Sequence, residues 1–473
     1  MKLSPEEKKK REIKKWEQEK ARSAAPGYMI YFLLIICIVY IGDEVASQIG
    51  SQMQSIIASE LFAPIVGEEF AVARMSAISS LVLIASIPGM LYKPLCDRFG
   101  RRPFLIINTL GIGLGIIAIS LSTNIPVYLI GYFVVAFFTP HDMQAIYIQE
   151  CAPPKHRATI YSAIKAIATL GIFIVPFLRN IFIPGTDLSG WRYVYMVPGI
   201  ITVCAGIAAF FLIKESDVFV ENRLRQLHMT DEELAATKTS KTSDAQAQGG
   251  LLCSIKLAFR NKQIFWLMVC HGFIMWGTVI AMYYEATLTN GYAQQFLVQG
   301  MSLEAARSSA TAYVTQALLL FSIGSATFQF FPGFIADRLG RKKTVLIMSG
   351  CVLITFLSYY IGANQNANPY IVGFLCGACI GSYWFSSDLM GLMISESTPT
   401  NLRASMMAVA PLITGVILVV GIGVAMILSN VLGDIYIGIC TLATAVPGML
   451  IGLVLMKFKV KETSGVDMSK VEA

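Results

Sequence analysis

Apolar runs close to twenty residues long recur along the whole chain, and no other feature narrows its possible folds as much. Inside a bilayer every backbone N–H and C=O must find a partner within the chain, so only helices or a closed barrel can cross. A helix needs about 20 residues to cross the ~30 Å hydrocarbon core, a barrel strand about half that number. The runs are of helix length. We count twelve, at 28–50, 74–95, 104–122, 125–149, 159–179, 193–213, 264–287, 308–335, 344–362, 369–394, 404–429 and 435–457. A composition of 55% hydrophobic and 14% charged residues points the same way. The chain therefore reads as an all-α, multi-pass integral protein of the cell membrane. A long charged segment precedes the first span and no small-residue cleavage site follows it, so that span is expected to stay in the mature protein and not to act as a secretory signal.

Lys and Arg gather at one set of span ends, in "EEKKKREIKKWEQEKAR", "DRFGRRP", "PPKHR", "DRLGRKK", "NLR" and "KFKVK", whereas the alternate loops "STNIP", "GANQNANP" and "SNVLGD" have none. By the positive-inside rule both termini are cytoplasmic. The formal charge of +7 then reports orientation and some affinity for anionic lipid, and no nucleic-acid partner is expected. The ten cysteines fall mostly within predicted helices, so no disulfide framework is expected. Cys376 and Cys379 in "LCGACIG" share a helix face and could hold a soft metal, but small residues at that spacing more simply let helices pack closely. No cofactor or resident metal is expected.

The chain divides into a charged segment at 1–26, six spans at 27–213, a polar connection at 214–263, six more spans at 264–457 and a tail at 458–473. The two sets of six repeat one another. "KPLCDRFGRRP" at 93–103 answers "GFIADRLGRKK" at 333–343, and "HDMQAIYIQECAPPKHR" at 141–157 answers "SDLMGLMISESTPTNLR" at 387–403. "IKES" at 213–216 answers "VKET" at 460–463. Internal repeats of this size mark a chain built from two related halves.

On these motifs the chain resembles the major facilitator superfamily over nearly its whole length. The repeated E-x-x-P-x-x-x-R pattern, "SGWRYV" before span 6 and the Glu after spans 6 and 12 are similar to the sugar-porter group and its organic-ion relatives. The resemblance implies twelve helices in two pseudo-symmetric six-helix bundles and a monomeric carrier. It also implies a cytoplasmic latch that is closed in one state and open in the other. Its residues here are Asp97, Arg101, Glu150, Arg157 and Glu215 in the first half, and Asp337, Arg341, Glu396, Arg403 and Glu462 in the second. A carboxylate in these loops can sit at a helix N-terminus while the arginines meet Glu150 or Glu396.

Five acids fall within predicted spans: Asp43 and Glu44 in span 1, Asp142 in span 4, Glu285 in span 7 and Asp388 in span 10. The resemblance places these spans around a central cavity. Lys165 is the only base read as lying well inside a span, at about the depth of Asp142, and the two are expected to pair. Asp388, the pseudo-symmetry mate of Asp142, is expected to be unpaired and desolvated and to carry a proton. His141 and His271 could relay protons or help to ligate a transported metal. Tyr40, Glu44, Ser47, Gln48 and Ser51 form a polar stripe on span 1, with Asp43 on a neighbouring face. Tyr40, Gln48, Trp276, Tyr283, Tyr284, Tyr383 and Trp384 are candidate substrate contacts.

Two departures from the sugar-porter pattern argue against a standard hexose. Paired glutamines with a later asparagine are absent from "FWLMVCHGFIMWGTVIAMYYEATL", and Ile130 stands where an arginine would partner the span 1 aspartate. The expected activity is secondary active transport of a small polar solute with protons, and no enzymatic role. Transport of a cation, drug, divalent metal or anionic metabolite stays open at this stage, as does a non-transporting nutrient receptor.

Overall fold

The computed structural model describes residues 5–23, 27–82, 92, 96, 99–139, 144, 147, 164–165, 167–184, 188–228, 251–398 and 403–463. Among the described residues all regular structure is helical. Among these residues nine helices are long and apolar enough to cross a membrane, and three shorter apolar ones, Gln54–Val66, Ile125–Phe138 and Ile167–Phe182, accompany them. The chain is an all-α, multi-pass membrane protein.

Two spans run further than their hydropathy predicts. Span 7 turns through a 3-10 segment, Met275–Gly277, and continues as Thr278–Val298, well beyond 287. Its polar tail "TLTNG" stays helical because its side chains are bonded: Asn290 Nδ2 donates to the Asp434 carbonyl at 2.6 Å and its Oδ1 accepts from Arg307 at 3.0 Å. The extension sets Glu285 in the middle of a helix. The end of span 5 is the helix Ile174–Phe182, which carries Arg179 inward, fully buried.

The described residues fall into two compact units. One comprises Met1–Ile49, Ile78–Ile174 and Arg192–Lys241; the other comprises Gly50–Ala77, Val175–Trp191 and Thr242–Ala473. In the first, Phe32, Ile36, Tyr147, Ala168 and Ala209 form the centre of an apolar core. The basic helix Pro5–Ser23 lies along Asp217–His228 in this unit, through Glu12–Arg223 and Lys20–Glu221 at 2.9 Å each and the edge of Trp16 against Phe219.

In the second unit, Leu267, Met268, Met390, Met393 and Met456 share a core. The helices Leu303–Phe330 and Pro369–Glu396 there meet backbone to backbone. A Cβ at Gly373, Gly377 or Gly381 would land on the carbonyl oxygens of Ala317, Phe321 and Ser325 in turn. Without a hydrophobic drive in lipid, this close van der Waals approach is what holds helices together. Cys376 and Cys379 lie among these glycines, both fully buried, and Cys379 Sγ reaches the Val352 carbonyl at 3.4 Å. Among the described residues no group of three metal-ligating side chains converges.

Candidate functional site

The turn before the basic helix of each half is built the same way. Gly100 and Gly340 hold φ of +107° and +93°, a region that favours glycine, and each opens a helix beginning with two basic residues, Arg101–Ser120 and Arg341–Asn364. The first N–H groups of such a helix have no partner within it. Glu215 accepts from the N–H of Arg101 at 2.8 Å and of Arg102 at 3.1 Å. Glu462 accepts from the N–H of Arg341 at 2.8 Å and of Lys342 at 3.1 Å. A Cβ on either glycine would strike the carboxylate it faces. The helix dipole adds to the attraction, since its N-terminal end favours negative charge.

These seats were expected to belong to the turn aspartates. Asp97 and the side chain of Asp337 lie outside the described residues, and the groups found at the N–H ends are Glu215 and Glu462. Glu215 is buried, which pushes its carboxyl up from the ordinary glutamate range; the N–H contacts and Arg101 pull it part of the way back. Glu462 is exposed. Arg341 Nε lies 3.5 Å from Glu396 Oε1, and Thr463 Oγ1 donates to Glu396 Oε2 at 2.7 Å, so the anticipated arginine–acid contact is present in the second half. In the first half the Arg101 guanidinium lies 5.9 Å from the centre of the Phe219 ring. Glu150 and Arg157 lie outside the described residues, as does the side chain of Arg403.

The acids within the membrane fare differently from one another. Asp43 is buried and accepts from Gln144 Nε2 at 2.8 Å, which gives the span 1 aspartate a neutral partner at a helix contact. Glu44 and Gln48 are half-buried, and Tyr40 is buried. His141 and Asp142 lie outside the described residues, so the Asp142–Lys165 pair does too; Lys165 is half-buried. Asp388 is exposed, not desolvated as expected, because it points away from the face that buries Leu389 and Met390. One residue before it, Ser387 Oγ lies 3.0 Å from His271 Nε2.

Glu285 is fully buried and has a partner that the sequence reading missed. Arg179 Nη1 lies 3.0 Å from Glu285 Oε1, with both side chains fully buried. The assignment of Lys165 as the one base inside a span is thereby corrected. Arg179 had been placed at the very end of span 5, where an arginine reaches water; the helix instead continues past it. An arginine inside the otherwise apolar "IVPFLRNIF" was the available signal.

Around this pair the second unit gathers further polar contacts. Arg179 Nε donates to Thr315 Oγ1 at 2.9 Å and Nη1 to the Gln52 carbonyl at 2.5 Å. Glu285 accepts from the Ser55 N–H at 2.9 Å and from Thr289 Oγ1 at 3.2 Å. A cavity of about 70 Å³ opens beside Glu285, with Ser55, Ser59, Thr289, Glu304, Arg307 and Thr311 in its wall. Arg307 donates to the Glu68 carbonyl at 2.7 Å and lies 3.9 Å from Asp434. Asp434, read from sequence as part of a loop, is fully buried and accepts from the N–H groups of Val72 and Ala73 at 2.6 and 2.8 Å. Its signal was a Gly-Asp pair just before a span, where Gly433 holds φ of +90°.

The candidate aromatic contacts are largely committed to packing. Trp276 Nε1 donates to the Ile417 carbonyl at 2.9 Å, and its ring fills the space over Gly421 and Gly448. Tyr383 OH pairs with Thr278 Oγ1 at 2.5 Å, and its ring lies 5.0 Å from that of Trp384. Tyr284 stacks on Phe321 at 4.8 Å, and Tyr283 is buried.

A multi-pass helical membrane protein whose halves repeat one charged turn belongs to the class of two-fold repeated membrane transporters. Residues 45–421 match the family model of the Major Facilitator Superfamily, and the chain belongs to that family; it is a transporter and not an enzyme. It is 21% identical over 411 residues to the glucose transporter GlcP of Staphylococcus epidermidis, covering 84% of this chain and 87% of that one. It is 25% identical over 272 residues to the human solute carrier family 2, facilitated glucose transporter member 12, covering 53% of this chain and 43% of that one. Its fold is similar to the crystal structure of a D-xylose-proton symporter, with a TM-score of 0.64, 17% identity and 93% and 99% of the two chains covered.

Proposed function

We propose that this chain moves a small polar organic solute across the cell membrane by alternating access of two six-helix bundles, 27–213 and 264–457, with protons as the coupling ion. The twelve spans then place the basic ends and both termini in the cytoplasm. The duplicated glycine turn carries this reading. Glu215 on Arg101 and Arg102, and Glu462 on Arg341 and Lys342, are the same joint built once in each half. Such a joint rests on the free N–H groups of a helix end, and making or releasing it need supply only a few kcal/mol, the bias a two-state carrier needs.

Sugars are the first solutes to test, because relatives are named for glucose and D-xylose. Protons enter from the D-xylose-proton symporter likeness and from carboxylates buried within spans. The decisive experiment reconstitutes the full chain in proteoliposomes and measures uptake of D-xylose, D-glucose and other polar solutes chosen by thermal-shift screening. Accumulation driven by an inward proton gradient and abolished by a protonophore is the expected result. A solute that binds yet is never moved would instead make the chain a receptor.

A further inference from the structure

We propose that Glu285 is the coupling carboxylate of this carrier, and that it exchanges Arg179 for a proton when the external end opens. The inference rests on the transport reading and names the group that carries its proton.

Among ion pairs between described residues, Arg179–Glu285 is the one in which both side chains are fully buried. It ties together four stretches of sequence. The end of span 1 contributes the Gln52 carbonyl and the Ser55 N–H, the end of span 5 contributes Arg179, and spans 7 and 8 contribute Glu285 and Thr315. In this closed arrangement the carboxylate has a cation and two further donors, and it needs no proton. Withdrawn from Arg179, the same carboxylate would stand charged in an apolar helix, which is costly unless a proton neutralises it. A proton that binds only the open form shifts the equilibrium toward that form. The step balances: an O–H bond forms on Glu285 with a proton from water, and Arg179 leaves with its positive charge toward the hydrated end.

The route for that proton is present. The cavity runs from exposed Glu304, at the start of Leu303–Phe330, to fully buried Glu285, and Ser55, Ser59, Thr289 and Thr311 line it. At about 70 Å³ it has room for about two waters at ~30 Å³ each, with enough hydroxyls to hold them. Among the described residues the charged groups facing Glu285 are these. Arg179 faces it from span 5, and Glu304 and Arg307 face it across the cavity from span 8. Glu68 and Asp434 sit beyond Arg307 and are bound to it. Tyr284 is next in its own helix, with Cys376 and Tyr359 behind it.

The test needs no substrate. Spin labels are introduced through encoded amino acids at Ile65 and Val298, both exposed and outside the contacts above, in the full chain in nanodiscs. Distance distributions are recorded from pH 8 to pH 5. Wild type is expected to shift toward a longer-distance population as pH falls. Glu285→Gln is expected to show the longer population at every pH, with the response lost. Glu304→Gln is expected to keep the response, since that residue only lines the route. If Glu285→Gln does not fold, the double replacement Arg179→Met with Glu285→Leu, which leaves no buried charge, is expected to lose the response as well. A wild-type response that persists in Glu285→Gln or in the double variant overturns the proposal, as does a wild type that never responds. Failure of the transport reading appears elsewhere, as a labelled protein that responds to pH while no solute crosses the liposome.

Discussion

The basic-end turns and the buried pair of Arg179 and Glu285 solve one problem, holding helices together by charge, in opposite ways. At the turns, carboxylates rest on backbone N–H groups, and the arginines near them meet an aromatic face or a second carboxylate. Each contact there contributes little alone and is cheap to break. In the buried pair both side chains are fully buried, so removing one partner alone is far more costly than breaking a turn contact. The turns are duplicated, one per half. The buried pair has no copy among the described residues, and this asymmetry is what we would expect if latching is shared by both halves while coupling is vested in one site.

The largest effect should come from breaking the buried pair on one side only. Arg179→Ala leaves Glu285 without its cation, at a cost of about 3–5 kcal/mol. Replacing both by apolar residues, Arg179→Met with Glu285→Leu, should recover most of that loss, because two desolvated charges are removed together. A double-mutant cycle by thermal unfolding in detergent measures this, with Lys342→Ala at the basic end as the contrasting mild change. A double variant that loses the sum of the two single losses would mean that the pair is not coupled and that the contrast between the two regions fails.

How legible each region was in the sequence follows from the same contrast. The basic-end turns could be read because their residues stand in motifs that occur twice, with glycine, arginine and acid at fixed spacing. What sequence could not say was which acid takes the helix N-terminus. Glu215 and Glu462 arrive there from the far end of each half, and only the folded chain brings them to Gly100 and Gly340. The spans could be read from apolar runs, but their ends could not. "TLTNG" looks like a loop until Asn290 is seen bonded to Arg307 and Asp434, and Arg179 looks like a flank until its helix is seen to continue. Errors of a few residues at span ends thus hid the one buried cation that answers Glu285. The small-residue reading of "LCGACIG" needed only local spacing, and the packing of Gly377 on Phe321 agrees with it.

At the basic end the effects should be smaller. Gly340→Ala forces a side chain into a left-handed conformation and pushes Glu462 off its N–H groups, for about 1–3 kcal/mol. In a Glu462→Ala background only the backbone strain remains, so the same substitution should cost less. An unchanged cost would show that the carboxylate contact contributes nothing. Smaller still is Glu462→Gln, which keeps an acceptor but removes the charge facing the helix dipole. Because that group is exposed, a loss of about 0.3–1 kcal/mol is expected at low ionic strength. The loss should shrink in 1 M salt, where the screening length is ~3 Å.

The smallest effect separates the two copies of the turn by pH. Glu215 is buried where Glu462 is exposed, and burial is the larger of the influences on it, so its carboxyl sits above the ordinary glutamate value. In the unfolded chain that value is ~4.3. A group held higher in the folded state keeps its proton longer there, so folding binds protons between the two values. The stability it contributes is complete below about 4.3 and declines as pH rises through the folded value. Glu215→Gln cannot titrate and lacks this slope. Measured side by side in detergent from pH 4 to pH 8, wild type should therefore lose ground to Glu215→Gln as pH rises from 4, and the gap should then level off. If wild type gains on the variant over that window instead, the N–H groups of Arg101 and Arg102 outweigh burial. The buried turn would then hold an ionised carboxylate as firmly as its exposed counterpart does.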